Sequence, residues 1–205
     1  MHIIWDWNGT LLDDTMACVD TLNIMLERRG FKTVTLEFFR ENFAFPARKF
    51  YNLVGMDVPD SEWDALAKEY HDTYAGRPVR LNAETIAALE RVKASGARQS
   101  ILSALRQDML EADVDRYGLR KYFTCVYGSD NLDGASKLDR AKELNALLND
   151  EECVLIGDAI HDFEVARSID VKCVLCSQGG HSYERLAALA PTGRTLLAAL
   201  ALAGC

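Results

Sequence analysis

Ile3-Ile4-Trp5-Asp6-Trp7-Asn8-Gly9-Thr10-Leu11 is an apolar run that stops on an acid and then turns. A short strand ending in a carboxylate, followed at once by glycine and threonine, sets that carboxylate at the C-terminal edge of a sheet. In open α/β sheets that edge is where ligands bind. Strand alternation sends Trp5 and Trp7 to the face opposite Asp6, Trp5 into the core and Trp7 to brace the turn or meet what covers it. Two residues past the acid, where a second carboxylate would be of more use, stands Asn8.

Beyond this stretch, apolar runs alternate with helical patterns, the signature of a parallel sheet built from βα units. Gln99–Ser103, Phe123–Tyr127, Cys153–Ile156 and Val171–Cys176 read as strands. Helices are expected over 83–95, 106–117, 138–148 and 163–168, and in the Ala/Leu-rich tail from Ser182. Residues 14–78 read differently, as helices with no convincing strand. Asp14 is placed to cap the first of them, with Val19, Leu22, Met25 and Leu26 as its apolar stripe. Phe38–Tyr51 reads as helix interrupted at Phe45-Pro46, and Ser61-x-x-Asp64 has the pattern of a capping box. The expected architecture is therefore α/β, a parallel-sheet core of residues 1–13 and 79–205 with a helical insert at 14–78.

The chain's 205 residues suffice for one substantial core with a small satellite. Its net charge of −8 argues against a nucleic-acid groove or an anionic membrane surface, both of which need clustered Lys and Arg. No apolar stretch reaches the roughly 20 residues of a membrane span. The first residues lack a basic region ahead of a signal-like core, so a cytoplasmic location is expected. Six cysteines, at 18, 125, 153, 173, 176 and 205, lie mostly in or beside apolar runs and read as reduced thiols. Cys173-x-x-Cys176 lacks a second pair at zinc-site spacing.

The chemistry gathers at strand ends. Asp6 ends one strand; Gly157-Asp158 ends another, with Asp162 four residues on, a spacing that turns both acids to one site. Converging carboxylates need a cation, and hard oxygen ligands suit Mg²⁺. Ser103 closes a third strand, where its hydroxyl and the N–H groups after it, from Ala104 onward, can hold an anionic oxygen. Lys137, at a helix start, supplies positive charge. Singly, each has an ordinary explanation as cap, solvated acid or surface lysine; in this order they make a site for a phosphate and a divalent cation.

That order resembles the haloacid dehalogenase-like superfamily over almost the whole chain. Asp6-x-Asn8-Gly9-Thr10-Leu11 is similar to the family's first motif, Asp-x-Asp-Gly-Thr-Leu. Ser103 matches the second motif, Lys137 the third (with Leu138 where Pro is usual), and Gly157-Asp158-x3-Asp162 the fourth. The 14–78 insert is placed like the α-helical cap of phosphoglycolate phosphatase-like members, over a Rossmann-like core. The resemblance implies that Asp6 is a nucleophile that forms an aspartyl-phosphate. It implies that Asp6, the Asn8 carbonyl and Asp158 hold Mg²⁺, with Asp162 assisting. Gly9, Thr10, Ser103, Ala104 and Lys137 would bind the phosphoryl group, and Lys137 would also position Asp6. The substrate would be a small phosphorylated metabolite and the protein a monomer or homodimer.

The departure is Asn8. Family phosphatases carry there an aspartic acid that protonates the leaving alcohol and then activates water; asparagine cannot shuttle a proton. Such help is typically worth about 10²–10⁴-fold, so turnover is expected to be slow or confined to good leaving groups such as acyl phosphates. Two alternatives follow: C–P cleavage of the phosphonoacetaldehyde hydrolase type, with Lys49 as a Schiff-base lysine, or a non-catalytic domain that binds a phosphorylated ligand. Arg48 and Lys49, in the 43–49 segment, are the expected insert residues for specificity. His161, between the two motif acids, is read as a surface residue at a helix start or a substitute acid, and His71 as solvated.

Overall fold

A computed structural model describes residues 1–130, 137–148 and 151–205. The first part of the chain forms β1 (His2–Trp5), β2 (Leu12–Asp13), α1 (Thr15–Arg28), α2 (Leu36–Asn42), α3 (Arg48–Leu53), α4 (Asp60–Tyr74) and β3 (Arg80–Leu81). There follow α5 (Thr85–Ala94), β4 (Arg98–Arg106), α6 (Gln107–Arg116), β5 (Val126–Ser129), α7 (Lys137–Leu148) and β6 (Cys153–Gly157). The chain continues with α8 (Ile160–Ser168), β7 (Lys172–Cys176), α9 (Tyr183–Ala187), β8 (Thr192–Gly193) and α10 (Leu196–Leu202). Among the described residues, six strands make one sheet in the order β5-β4-β1-β6-β7-β8, every neighbouring pair parallel. This is the expected α/β architecture.

Helices cover both faces, so the central strands are apolar on both sides. Ile3 and Trp5 face α5, α6 and α10, packing with Leu89, Leu110 and Leu200. Ile4 faces the other way, with Leu144 of α7 and Val165 of α8. Trp7 joins the Trp5 side, its ring 6.3 Å from that of Tyr117. Alternation thus continues past the strand and leaves Asp6 on the side of α7 and α8. On either side of central β1 the chain departs in opposite directions, to β4 and to β6, which opens the crevice that α/β sheets use for ligands.

The four helices α1–α4 have their own apolar cluster, built on Leu22, Met25, Phe39, Phe50 and Leu66. The two ends of this insert are stitched together by an antiparallel pair, Leu12 with Leu81 and Asp13 with Arg80, which no periodicity announced. Phe45-Pro46, where a helix break was expected, carries a cis peptide bond.

Several local expectations need correcting. The 61–64 capping box does not form: α4 begins at Asp60 behind Pro59, with no side-chain cap, since the proline supplies the extended entry and Asp60 and Glu62 fill the first turn. Asp14 does not cap α1, because its carboxylate is drawn to the Asn8 turn. Ser103 does not end its strand. β4 runs on to Arg106, and its register against β5 shifts between Leu102 and Arg106, so Ser103–Leu105 stand out of the ladder at the sheet edge. The tail is not wholly helical: β8 pairs with β7, too short at two residues to leave a pattern. All six cysteines are free, with Cys153 and Cys176 buried.

Trp5 is fully buried, and its Nε1 donates to Gln99 Oε1 at 2.9 Å. Trp5→Ala should destabilise the fold by about 3–5 kcal/mol. Trp5→Phe, which fills much of the space but strands the Gln99 oxygen, should cost about 1–3 kcal/mol. Denaturant unfolding of both variants checks the order and the gap.

Candidate active site

Asp6 stands one residue beyond β1, its N–H donating to Ile156 O of neighbouring β6 at 2.9 Å. The chain then reverses within five residues, with Leu12 N donating to Trp7 O at 2.9 Å. Gly9 makes this possible at φ +74°, and a Cβ there would lie 2.3 Å from Asp158 Oδ2. The opposite wall is as close: a Cβ on Gly179 would lie 2.0 Å from the same oxygen. Asp158 is thus seated between two glycines. Thr10 Oγ1 donates to its Oδ1 at 3.3 Å, and Gly180 N–H to its Oδ2.

Asp162 lies on the first turn of α8, where its Oδ2 accepts from Ala159 N at 2.9 Å. Lys137, the first residue of α7, donates 2.6 Å to Asp6 Oδ1 and 2.6 Å to Asp162 Oδ1. Asp6, Asp158 and Asp162 offer carboxylate oxygens within 4.8 Å of one another, and all three residues are buried. The structure therefore brings together the acids and the lysine from three separate places in the sequence, Asp6, Lys137 and the 158–162 turn. Ser103 joins them at the cavity wall, 1% exposed. Its Oγ accepts from Leu105 N at 3.1 Å, which leaves the hydroxyl hydrogen free to donate into the cavity. Ala104 also lines the cavity.

The electrostatics follow from this packing. Burial pushes the Asp6 carboxyl up to about 7; Lys137 opposes the rise and Asp162 adds to it. Asp158 is driven well above the usual carboxylate range by burial, then by Asp6 and Asp162. Burial alone would lower the Lys137 ammonium, but Asp162 and Asp6 overcome it and hold the group above its ordinary value. One ammonium among three buried carboxylates leaves negative charge in excess when all ionise. A hard divalent cation fits this donor set in charge and ligand type.

Position 8 is held by a side chain that the sequence reading assigned elsewhere. Asn8 Nδ2 donates to Asp14 Oδ2 at 2.7 Å and Gly9 N to Asp14 Oδ1 at 2.8 Å. Tyr74, at the end of α4, donates its OH to Asp14 Oδ2 at 2.6 Å. Asp14 is buried, and its carboxyl is raised by that burial against the pull of these donors. The Asp13-Asp14 doublet right after the turn was the available signal.

Between the acids and the insert lies a cavity of about 220 Å³. Phe43, Phe45 and Ala47 of the 43–49 segment line it, as do Phe39, Phe50, Tyr51 and Trp63. Arg48 and Lys49 are not brought to it. Arg48 turns to Asp60 at 2.6 Å and to Val58 O at 2.7 Å, with its guanidinium over Trp63, and Lys49 is exposed. A guanidinium already satisfied by a carboxylate and a carbonyl has no reason to face inward. His71, expected in solvent, is half-buried and lines the cavity, its ring edge-on to Tyr70. His161 also lines it, 5.0 Å from the Phe45 ring, and His181 is fully buried beside Phe43. Two arginines fasten insert to core above the site. Arg40 donates to Gln178 O and Gly179 O at 2.9 and 3.0 Å, and Arg185 reaches back to Arg40 O at 2.6 Å.

The raised Asp6 carboxyl has a consequence for stability. A carboxyl titrating higher in the folded state than in the unfolded one stabilises fully below the unfolded value, and that stability drains away as pH rises. Without metal, stability should fall from about pH 4 to about pH 7, by at most about 1.4 kcal/mol per pH unit for one group. A divalent cation should therefore raise the melting temperature more at pH 8 than at pH 5. Thermal unfolding with chelator and with Mg²⁺ at both values is the check.

Comparison with known proteins places the chain in a family. Residues 3–176 match the family model described as haloacid dehalogenase-like hydrolase. Phosphoglycolate phosphatase of Caulobacter vibrioides is 26% identical over 187 residues, covering 86% of this chain and 79% of that one. The enzyme of the same name from Rhodobacter capsulatus is 25% identical over 186 residues, covering 86% and 84%. Among solved structures, a haloacid dehalogenase-like family hydrolase of Streptococcus pneumoniae superposes with TM-score 0.74 at 18% identity, covering 98% of this chain and 97% of that one. Protein Tyrosine Kinase A of Mycobacterium tuberculosis reaches 0.81 at 19% identity, covering 100% and 98%, a likeness of fold alone. The motifs at Asp6, Ser103, Lys137 and Asp158 thus stand in a chain that belongs to the haloacid dehalogenase-like hydrolases.

Proposed function

We propose that this hydrolase is a Mg²⁺-dependent phosphatase of a small phosphorylated metabolite, working through an aspartyl-phosphate on Asp6. The observation that carries the reading is the buried Lys137 ammonium, 2.6 Å from Asp6 and 2.6 Å from Asp162, with Asp158 in the same group. A domain that only binds phosphate has no use for an anionic oxygen at the centre of its anion site; a nucleophile is the economical explanation.

In this mechanism an Asp6 carboxylate oxygen attacks phosphorus in line, and the bond from phosphorus to the leaving oxygen breaks, the electron pair departing with that oxygen. Water then attacks the same phosphorus, the Asp6–phosphorus bond breaks, and the carboxylate is restored as phosphate and a proton leave. Lys137 has three N–H donors, of which two go to carboxylates, so the third is available to a phosphoryl oxygen. Ser103 Oγ donates to another, with the N–H group of Ala104 beside it; the Gly9 N–H, expected there from the sequence, is taken by Asp14 Oδ1 at 2.8 Å and that of Thr10 by Trp7 O at 3.3 Å. Asp6, Asp158 and the Asn8 main-chain carbonyl would hold Mg²⁺, Asp162 directly or through water, and the ion when bound supplies positive charge to the phosphoryl oxygens. Charge placed where it develops, together with in-line positioning, supplies most of the catalysis in such transfers.

Residues 14–78 act as a cap over the 1–13 and 79–205 core. The Tyr74–Asp14 bond and the Arg40 and Arg185 contacts hold it where water can be excluded. No helix among the described residues is long and apolar enough to cross a membrane, and free thiols suit a cytoplasmic protein, monomer or homodimer.

Phosphate release from acetyl phosphate and a panel of monoesters should require Mg²⁺ and vanish in Asp6→Ala. Lys137→Met should lose at least about 10²-fold, as removal of a charge-stabilising donor does elsewhere. Saturable binding of these compounds with no release by the wild-type protein would contradict the reading and favour a binding domain.

A further inference from the structure

Building on the hydrolase reading, we propose that the substrate is the phosphate ester of a small phenol that carries no further charge, so that the group released is a phenol rather than an aliphatic alcohol. Two independent features of the site point the same way.

The first is the wall of the cavity facing the acids. Phe39 and Phe43 stack at 4.7 Å, and Phe43 meets Phe45 edge-on at 5.4 Å. Phe50 meets both Phe39 and Phe43 at 5.4 Å, and Tyr51 meets Trp63 at 5.6 Å. Rings in these edge and offset arrangements form a slot that suits another ring. Positive charge is missing from it. Among the described lining residues Lys137 is the one Lys or Arg, and it is engaged below by Asp6 and Asp162. Arg48, on the same insert, is turned outward to Asp60. A substrate carrying a carboxylate, such as phosphoglycolate, would bury that charge against phenyl rings and near Asp14 without a cation, an arrangement proteins avoid.

The second is the Asn8 amide. Its Nδ2 is committed to Asp14, which fixes the amide and turns Oδ1 away from Asp14. Neither amide atom can give up a proton to a leaving oxygen. Aliphatic alkoxides, whose conjugate acids are about as weak as water, depart poorly without that proton. Phenolates, with acids near about 10, depart without it. A ring-lined slot and an amide at position 8 that gives up no proton are both accommodated by a phenol.

The test compares kcat/KM, with Mg²⁺, for phenyl phosphate, benzyl phosphate, phosphoglycolate and acetyl phosphate. Benzyl phosphate keeps the ring but releases an aliphatic alcohol. Phenyl phosphate should exceed both benzyl phosphate and phosphoglycolate by at least about 10²-fold, the low end of what a general acid contributes. The double variant Asn8→Asp with Asp14→Asn restores an acid at position 8 without setting two carboxylates side by side. It should narrow the phenyl-to-benzyl ratio by about 10-fold or more while phosphoglycolate stays poor. Phosphoglycolate turned over as well as phenyl phosphate, or a wild-type phenyl-to-benzyl ratio near one, would overturn the proposal; both are read on the wild-type protein, whether or not the variant folds. Acetyl phosphate separates the two levels of the account. If it is cleaved through Asp6 while phenyl phosphate is not preferred, the aryl proposal alone falls; if nothing is cleaved, the hydrolase reading falls with it.

Discussion

Lys137 is a cation 2% exposed, held between Asp6 and Asp162. A lone ammonium would not stay charged at such depth; the two carboxylates beside it hold its proton on against burial. Its two short contacts, 2.6 Å to each carboxylate, fix three elements at one point: the end of β1, the start of α7 and the first turn of α8. The parallel sheet supplies the stage, since β1 and β6 are neighbours in register from His2–Cys153 to Trp5–Ile156. Their acids therefore emerge side by side. With Asp158 added, the cluster carries more negative charge than one lysine offsets, which is the physical reason the site calls for a metal.

A second set of contacts decides what the site does with that charge. The turn after Asp6 is tied to the insert through Asp14, which collects donors from Asn8, Gly9 and Tyr74. The reacting end and the covering helices are thus one bonded unit. The covering helices bring rings and not cations, so the part of the substrate that distinguishes it meets an apolar surface. On the proposed function, phosphate recognition rests with the core, and discrimination rests with shape and ring contacts.

Much of this was legible in the sequence, and unevenly. The strand ending at Asp6, the alternation of Trp5 and Trp7, and the Gly157-Asp158-x3-Asp162 turn could be read because each depends on local pattern: an apolar run, a glycine, a carboxylate at a fixed offset. The break at Phe45-Pro46 was visible for the same reason. What could not be read depends on contacts between distant segments. Asp14 has the local credentials of a helix cap, and only the folded turn shows that Asn8 and Tyr74 compete for its oxygens. Arg48 looks like a substrate contact until Asp60, twelve residues on, claims it. The irregularity that brings Ser103 out of β4 is a relation between two strands and leaves no trace in either one. Phe43 and Phe45 fall in the 43–49 segment read as deciding specificity, but that Phe39 and Phe50 join them around one cavity was not legible. Mass and periodicity gave the frame, and partner choice remained a tertiary matter.

The central claim is that Asp6 takes the phosphoryl group. Because Asn8 cannot activate water, the second step should be slowed at least as much as the first, and the phosphorylated enzyme should accumulate. Acid-quenched enzyme after brief exposure to acetyl phosphate with Mg²⁺ can be digested and sequenced by mass spectrometry. The account predicts one phosphoryl group on the peptide containing Asp6, chased off over time and absent from Asp6→Ala. Phosphate released with no label on Asp6, or label unchanged in Asp6→Ala, would contradict it.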